Sequence, residues 1–251
     1  MSTFKFSPSG GRIRTPKLWL IDMDDTLYSA SAGMFHDIHV LMDDYIVRKL
    51  GISAEKANDL RKEYWRRYGV TYYGLWLHHG IDPHDFLTET HKVDTSSIHT
   101  RGKMREAVMS LPGQKVLFTN APNSFADQVL RRLHLSDCFS AQYRAESMKV
   151  FGQWRPKPSA QMLKKVLAQH HVLAHQCCLI DDNLNNLKIA KSVGLQTVLC
   201  KGWHHHGLEV IRPCPYIDAF VSHIRDIEKI LVSQKSVQRK TKRPKFLNPY
   251  N

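Results

Sequence analysis

The sequence predicts an α/β fold, a doubly wound parallel sheet with a helical cap inserted after its first strand. Short apolar runs alternate with amphipathic stretches, and the first three runs stop at polar or acidic clusters. The runs are nearly continuous in apolar residues, as expected of strands buried on both faces. About 85 residues separate the first run from the second, and none of that interval reads as strand.

The strands fall at 18–22 (LWLID), 115–120 (KVLFTN), 177–182 (CCLIDD) and 196–200 (QTVLC), with an edge contribution near 219–222 (AFVS). Helices are predicted over 34–50, 54–68, 72–79 and 83–91, then over 101–110, where LPG stops the last. A further helix is expected over 184–193. Residues 18–28 and 106–232 are thereby assigned to the α/β core and 29–105 to the cap. Open parallel sheets carry their sites beyond the carboxyl ends of the strands, so the three polar clusters should converge.

The net charge of +13 is not spread evenly. Residues 1–17 hold four basic side chains and 233–251 hold six, with no acid in either, whereas 18–232 hold 26 basic against 23 acidic. Both ends are expected to be poorly ordered and to attract polyanions weakly, rather than to form a nucleic-acid arm. No apolar run approaches the roughly 20 residues that span a bilayer, which argues against a membrane protein. An odd set of five cysteines without framework spacing, and no apolar block of signal length at the N-terminus, point to the cytoplasm.

The chemistry concentrates where the first strand ends, at Asp22, Asp24 and Asp25. Residues two apart in a strand point the same way, so Asp22 and Asp24 should leave its end together. Two carboxylates that close need a counter-ion or a shared proton. Mg2+ suits them, being a hard cation that prefers carboxylate oxygens and substrate phosphate. Asp22 is placed to attack phosphorus, and Asp24 to protonate the leaving oxygen and then deprotonate water. Asp25 reads as a cap for a helix beginning after Thr26.

The pattern DxDxT after an apolar strand, here Asp22, Asp24 and Thr26 in IDMDDTLY, resembles the first motif of the haloacid dehalogenase-like hydrolases, whose core is Rossmann-like. FTN at 118–120 resembles the second motif, implying that Thr119 and the backbone amide of Asn120 bind phosphoryl oxygens. RPKP at 155–158 resembles the third, implying that Lys157 offsets charge on nucleophile and phosphate. IDDNLNN at 180–186 resembles the fourth, implying a Mg2+ site of Asp182 and Asp181 with Asp22 and Asp24. Asn186 stands where many relatives carry an acid and is placed to orient Lys157 or Asp182. Four motifs in order are far more specific than any one. An acid at position 24 favours phosphate esters over dehalogenation.

In the cap, six of the thirteen residues of YWRRYGVTYYGLW (64–76) are aromatic. Tyr64, Tyr68, Tyr72 and Trp76 are candidates for stacking on a substrate ring, the competing reading being that they pack the cap's own helices. The YxxYG pattern, with DxDxTLY and LFTNA, resembles the pyrimidine 5'-nucleotidase branch of the family over about residues 18–200, which implies UMP or CMP as substrate. Ile21 and Asp25 depart from residues common there. Another small phosphate ester, such as a sugar phosphate or a pyridoxal-type ester, is the alternative. A phosphomutase and a non-catalytic binding protein on the same fold stand behind it. Cys200, His204, His205, His206 and Cys214 match no zinc spacing and read as loop residues. Trp154 reads as packing its own loop.

Overall fold

Residues 9–98, 102–201 and 214–232 are described in the computed structural model of the chain. The His204–His206 cluster, residues 1–8 and the basic tail lie outside them. Two short strands, β1 (Ser9–Gly11) and β2 (Ile13–Arg14), precede the first apolar run, β3 (Leu18–Ile21). Helices α1 (Met34–Leu50), α2 (Ala54–Tyr68), α3 (Thr71–His79), α4 (Pro83–Thr90) and α5 (Met104–Ser110) then lead to β4 (Gln114–Phe118). Next come α6 (Asn123–Arg132), β5 (Ala141–Tyr143), a small hairpin of β6 (Lys149–Val150) and β7 (Gln153–Trp154), and α7 (Ala160–Gln169). The remaining elements are β8 (Cys177–Asp181), α8 (Leu184–Val193), β9 (Gln196–Cys200), β10 (Ala219–Val221), a 3-10 helix (Ile224–Ile230) and β11 (Leu231–Val232).

Seven strands form one sheet in the order β1-β10-β9-β8-β3-β4-β5. Every pairing is parallel except that of β1 with β10. β3 sits between β8 and β4, with Ile21 level with Ile180 on one side and Leu117 on the other. Alternate residues of each strand supply opposite faces. Trp19, Ile21, Leu117 and Ile180 pack with Val108 of α5, Phe125 and Val129 of α6, and Ile227 of the 3-10 helix. Leu18, Leu20, Phe118 and Leu179 pack on the other face with Met162 and Val166 of α7 and Leu187 of α8. Each fully buried side chain of this size contributes roughly 1.5–3 kcal/mol, so these two layers, not the polar strand ends, hold the sheet together.

Helices α1 to α4 form a third cluster of their own around Tyr45, Tyr64, Leu75 and Phe86. Their ends carry the expected stop and start signals. Ser53 caps α2 by accepting from the Lys56 amide, Asp82 caps α4 with Pro83 in its first turn, and glycines 51, 69 and 80 end α1, α2 and α3 in the left-handed conformation. A partly buried pair, Arg61 Nε to Asp43 Oδ1 at 2.7 Å, ties α2 to α1. Gly74 is required inside α3 because a Cβ there would lie 2.3 Å from the Tyr64 ring.

One expectation is corrected here. Residues 9–14, placed by composition in a poorly ordered basic end, are built into the molecule: β1 forms the antiparallel edge on β10, and β2 pairs with β11. Strands of two or three residues are held by backbone hydrogen bonds and show no apolar period to read. Gly11 marks the contact, since a Cβ there would fall 2.2 Å from the Asp218 carbonyl oxygen. Among the described residues, no helix is long and apolar enough to cross a membrane.

Candidate active site

Three adjacent strands deliver their ends to one edge of the sheet. Asp22 follows β3, Thr119 follows β4, and Asp181 is the last residue of β8. The Asp22 amide still donates to the Ile180 carbonyl (3.0 Å) and the Thr119 amide to the Tyr143 carbonyl (2.9 Å), so both residues leave the sheet in register. Lys157 joins them from the loop before α7. Its Nζ stands 2.6 Å from Asp22 Oδ1 and 3.0 Å from Asp181 Oδ2. All three side chains are buried.

The lysine is held from both ends. Asn120 accepts from the Lys157 backbone amide (2.9 Å) through Oδ1 and donates through Nδ2 to the Lys157 carbonyl (3.0 Å). The Asn120 side chain therefore positions lysine. Its own backbone amide, the group expected at phosphate, has no acceptor among the described residues. Thr119 Oγ1 accepts from the Ala121 amide (3.1 Å), which shapes the turn while leaving the hydroxyl proton to donate. On the far side, Asn186 Nδ2 donates to both oxygens of Asp181 (2.9 and 3.0 Å), and the Asn183 amide adds a third contact (2.9 Å). Asn186 orients Lys157 through Asp181.

Oxygens of Asp22, Asp181 and Asp182 lie within 4.8 Å of one another. Three carboxylates against one ammonium leave negative charge in excess at a buried place. Burial lifts the Asp22 carboxyl well above its ordinary range against the pull of Lys157, with Asp181 and Asp182 adding to the rise. Burial alone would depress the Lys157 ammonium, but Asp181 and Asp22 outweigh it and raise its pKa. An all-oxygen donor set with surplus negative charge fits a hard divalent cation. Asp181 has its lone pairs occupied by Lys157, Asn183 and Asn186, which leaves Asp22 Oδ2 as a ligand atom of this group beside Asp182.

Asp24 departs from the expected metal group. β3 ends at Ile21, and the Met23 carbonyl accepts from the Thr26 and Leu27 amides, so the chain turns before Asp24 and the period of two no longer applies. The Asp24 carboxylate instead accepts from the Tyr28 hydroxyl at 2.5 Å and lines a cavity between core and cap. Burial holds its carboxyl up at about 6, with the Tyr28 hydrogen bond pulling the other way. Asp25 caps no helix, since α1 begins only at Met34. Its carboxylate accepts from the Ser31 amide (3.0 Å) and hydroxyl and closes the intervening turn.

The cavity encloses about 450 Å³, within the range of small-molecule sites. Asp24 and Asn120 line it from the core, and Phe35, Ile38, Phe86 and Tyr72 make much of its cap wall. Of the four cap aromatics singled out in the sequence, Tyr72 lines it and the other three do not. Tyr64 and Tyr68 bond their hydroxyls to His79 (2.8 Å) and His78 (2.6 Å), and Trp76 packs on Tyr73. They hold α2 to α3. Trp154 does more than pack its loop: it enters the cap cluster edge-on to Tyr72, ring centroids 5.8 Å apart. Where α2 turns into α3, Gly69 (φ +81°) rests on the lysine loop, and a Cβ there would fall 2.5 Å from Pro158 Cδ and 2.7 Å from the Lys157 carbonyl oxygen.

Two residues escaped the sequence reading. Tyr28 gave no signal beyond its place in the first motif. Arg61 did give one: it shares the buried stripe of α2 with Ala57 and Tyr64, where a charged side chain is out of place.

The comparisons agree with this geometry. The chain is 24% identical over 197 residues to "Phosphate metabolism protein 8" of Saccharomyces cerevisiae, covering 73% of this chain and 61% of that protein, so it spans less than two thirds of the relative's length. Among solved structures it resembles a HAD phosphatase from Thermococcus onnurineus (TM-score 0.55, 17% identity, 85% of this chain and 97% of that one). It also resembles a haloacid dehalogenase-like hydrolase from Bacteroides fragilis (TM-score 0.60, 14% identity, 84% and 99%). A 2-haloacid dehalogenase from Pseudomonas syringae is a further neighbour (TM-score 0.52, 18% identity, 86% and 97%). These identities speak for the fold alone. Residues 16–194, however, match the haloacid dehalogenase-like hydrolase family over most of the chain, and they include the three strand-end clusters and the Lys157 loop. With β3 central and Asp22, Thr119, Lys157 and Asp182 gathered at its end, the chain belongs to the haloacid dehalogenase-like hydrolases.

Proposed function

We propose that the chain is a Mg2+-dependent phosphomonoester hydrolase working through an aspartyl phosphate on Asp22, with a pyrimidine nucleoside 5'-monophosphate, UMP or CMP, as substrate. The observation that carries the reading is Lys157, bridging Asp22 and Asp181, while Asn120, which holds the lysine's backbone, and Asp24 both line the cap-covered cavity. Asp22 attacks phosphorus. Lys157, the Thr119 hydroxyl and the Asn120 amide hold the phosphoryl oxygens as charge develops on them. Asp24, kept partly protonated near neutral pH by burial, gives its proton to the leaving oxygen and then takes one from water. Tyr28 holds one carboxylate oxygen of Asp24 and leaves the other for this transfer. Asp22 and Asp182, with Asp181 behind them, would hold Mg2+, which when bound offsets charge between nucleophile and phosphate.

The base assignment draws on the resemblance of the YxxYG segment and on a cavity apolar enough for a ring and large enough for a nucleoside. Phosphate release should be measured over a panel of mononucleotides, sugar phosphates and pyridoxal phosphate, with Mg2+ and with chelator. UMP and CMP should lead, and chelation should abolish release. Equal rates on ribose 5-phosphate and UMP would reject the nucleotidase reading in favour of a broader phosphatase.

A further inference from the structure

Among the polar residues of the cap wall, which also include His39, Lys62, Thr71 and His91, two are buried and incompletely paired. Tyr72 is 3% exposed, and its hydroxyl has no hydrogen-bond partner among the described residues. Arg61 is 9% exposed and only partly engaged. Its Nε donates to Asp43 Oδ1 and its Nη2 to Asn58 Oδ1, both at 2.7 Å, while Nη1 has no partner among the described residues. Both residues line the cavity. They are fixed relative to each other, because Thr71, the residue before Tyr72, donates its hydroxyl to the Arg61 carbonyl at 3.2 Å.

A buried hydroxyl left unpaired, as on Tyr72, is destabilising, and such groups persist where a ligand completes them; Arg61 adds a guanidinium with an unengaged Nη1 to the same cavity lining. Both groups are donors. The charge of Arg61 is already balanced by Asp43, so a second anion would gain little there, whereas a neutral acceptor oxygen would gain a hydrogen bond without upsetting that balance. We infer that Arg61 and Tyr72 form a donor pair that selects the substrate by the acceptor edge of its leaving group, a planar ring carrying a carbonyl oxygen. This rests on the phosphatase reading of the site and assigns the specificity of that same cavity. It moves the recognition away from stacking on Tyr64, Tyr68 and Trp76, which the cap uses for its own packing.

The test uses Tyr72→Phe, which keeps the ring against Trp154, and Arg61→Lys, which keeps a cation for Asp43 but loses the fork of donors. The measured quantity is the preference for UMP over ribose 5-phosphate in kcat/KM, since ribose 5-phosphate has no ring carbonyl. In each variant that preference should fall roughly tenfold, the effect of one lost hydrogen bond. Tyr72→Phe should melt no lower than wild type, because it removes an unpaired hydroxyl, and this separates reading from a structural role. A wild type without preference, or either variant keeping the wild-type preference, overturns the donor pair. Calorimetric binding of UMP and ribose 5-phosphate to the Asp22→Asn protein decides the pair independently of turnover. If the wild type releases phosphate from neither compound, the proposed function fails while that binding difference still supports or rejects the pair.

Discussion

Asp181 and Asp182 are neighbours in sequence with different work to do, and replacing each by asparagine should separate them. Asp181 is fully buried, takes the Lys157 ammonium at 3.0 Å, and accepts from Asn183 and Asn186 as well. In Asp181→Asn an amide nitrogen would confront one of those donors, and Lys157 would keep only Asp22, at 2.6 Å. Removing one member of a buried ion pair costs about 3–5 kcal/mol, and the surviving Asp22 contact places this case near the lower end, about 3 kcal/mol. For a chain of this size that corresponds to a fall in Tm of roughly 6–12 °C. Asp182 is half-buried, and Asp182→Asn should cost under about 1 kcal/mol in chelator. It should instead weaken Mg2+ binding, with excess Mg2+ restoring part of the rate. Thermal unfolding followed by circular dichroism, with chelator and with Mg2+, reads both effects. Equal falls in Tm for the two variants, or a fall under about 2 °C for Asp181→Asn, would refute the anchoring role of Asp181.

Asp24→Asn should slow hydrolysis of nucleotides by about 10²- to 10⁴-fold but an activated aryl phosphate far less, since that leaving group needs no proton; equal losses on both would remove Asp24 as the acid. Gly69→Ala should lower turnover as well as stability, because its Cβ would push the cap off the Lys157–Pro158 loop, whereas Gly80→Ala, with φ +66° and open space around it, should cost stability alone. Steady-state rates beside melting curves distinguish the two. His91 is held neutral, its pKa lowered to about 4 by burial, with the Leu87 carbonyl partly opposing the shift. The unfolded chain takes that proton first, so the stability is complete above about pH 6.5 and is lost as pH falls toward about 4, by at most about 3 kcal/mol. Melting temperature across that window should fall less steeply for His91→Gln, and parallel curves would contradict the assignment.

The apolar runs gave the core strands to within a residue or two because strands buried on both faces have no polar face to blur their ends. Helices α1 and α2 matched equally well, since Ser53 and the glycines that follow each helix mark their limits. The short strands β1, β2 and β5 were not legible, because backbone pairing over two or three residues leaves no side-chain period to read. In the site, the residue types were legible and their partners were not. Asn120 and Asn186 both hold Lys157, one through its backbone and one through Asp181, and no spacing in the sequence encodes a contact 37 residues away. Asp24 was misdirected by assuming that the strand ran on past Ile21. In the cap the aromatic segment 64–76 divides: Tyr64, Tyr68 and Trp76 pack within the cap, whereas Tyr72 lines the cavity together with Arg61, which precedes the segment and carries no aromatic signal.

The central claim is that Asp22 becomes covalently phosphorylated. Wild-type protein mixed with UMP and Mg2+, quenched in acid during turnover and analysed by peptide mass spectrometry, should carry one phosphoryl group on the peptide containing Asp22. Fragmentation should assign it to that side chain, and Asp22→Asn treated in the same way should carry none. Turnover of UMP without a phosphorylated Asp22, or activity in Asp22→Asn above about a hundredth of wild type, would contradict nucleophilic catalysis by this residue, since acid or base roles alone account for roughly 10²- to 10⁴-fold.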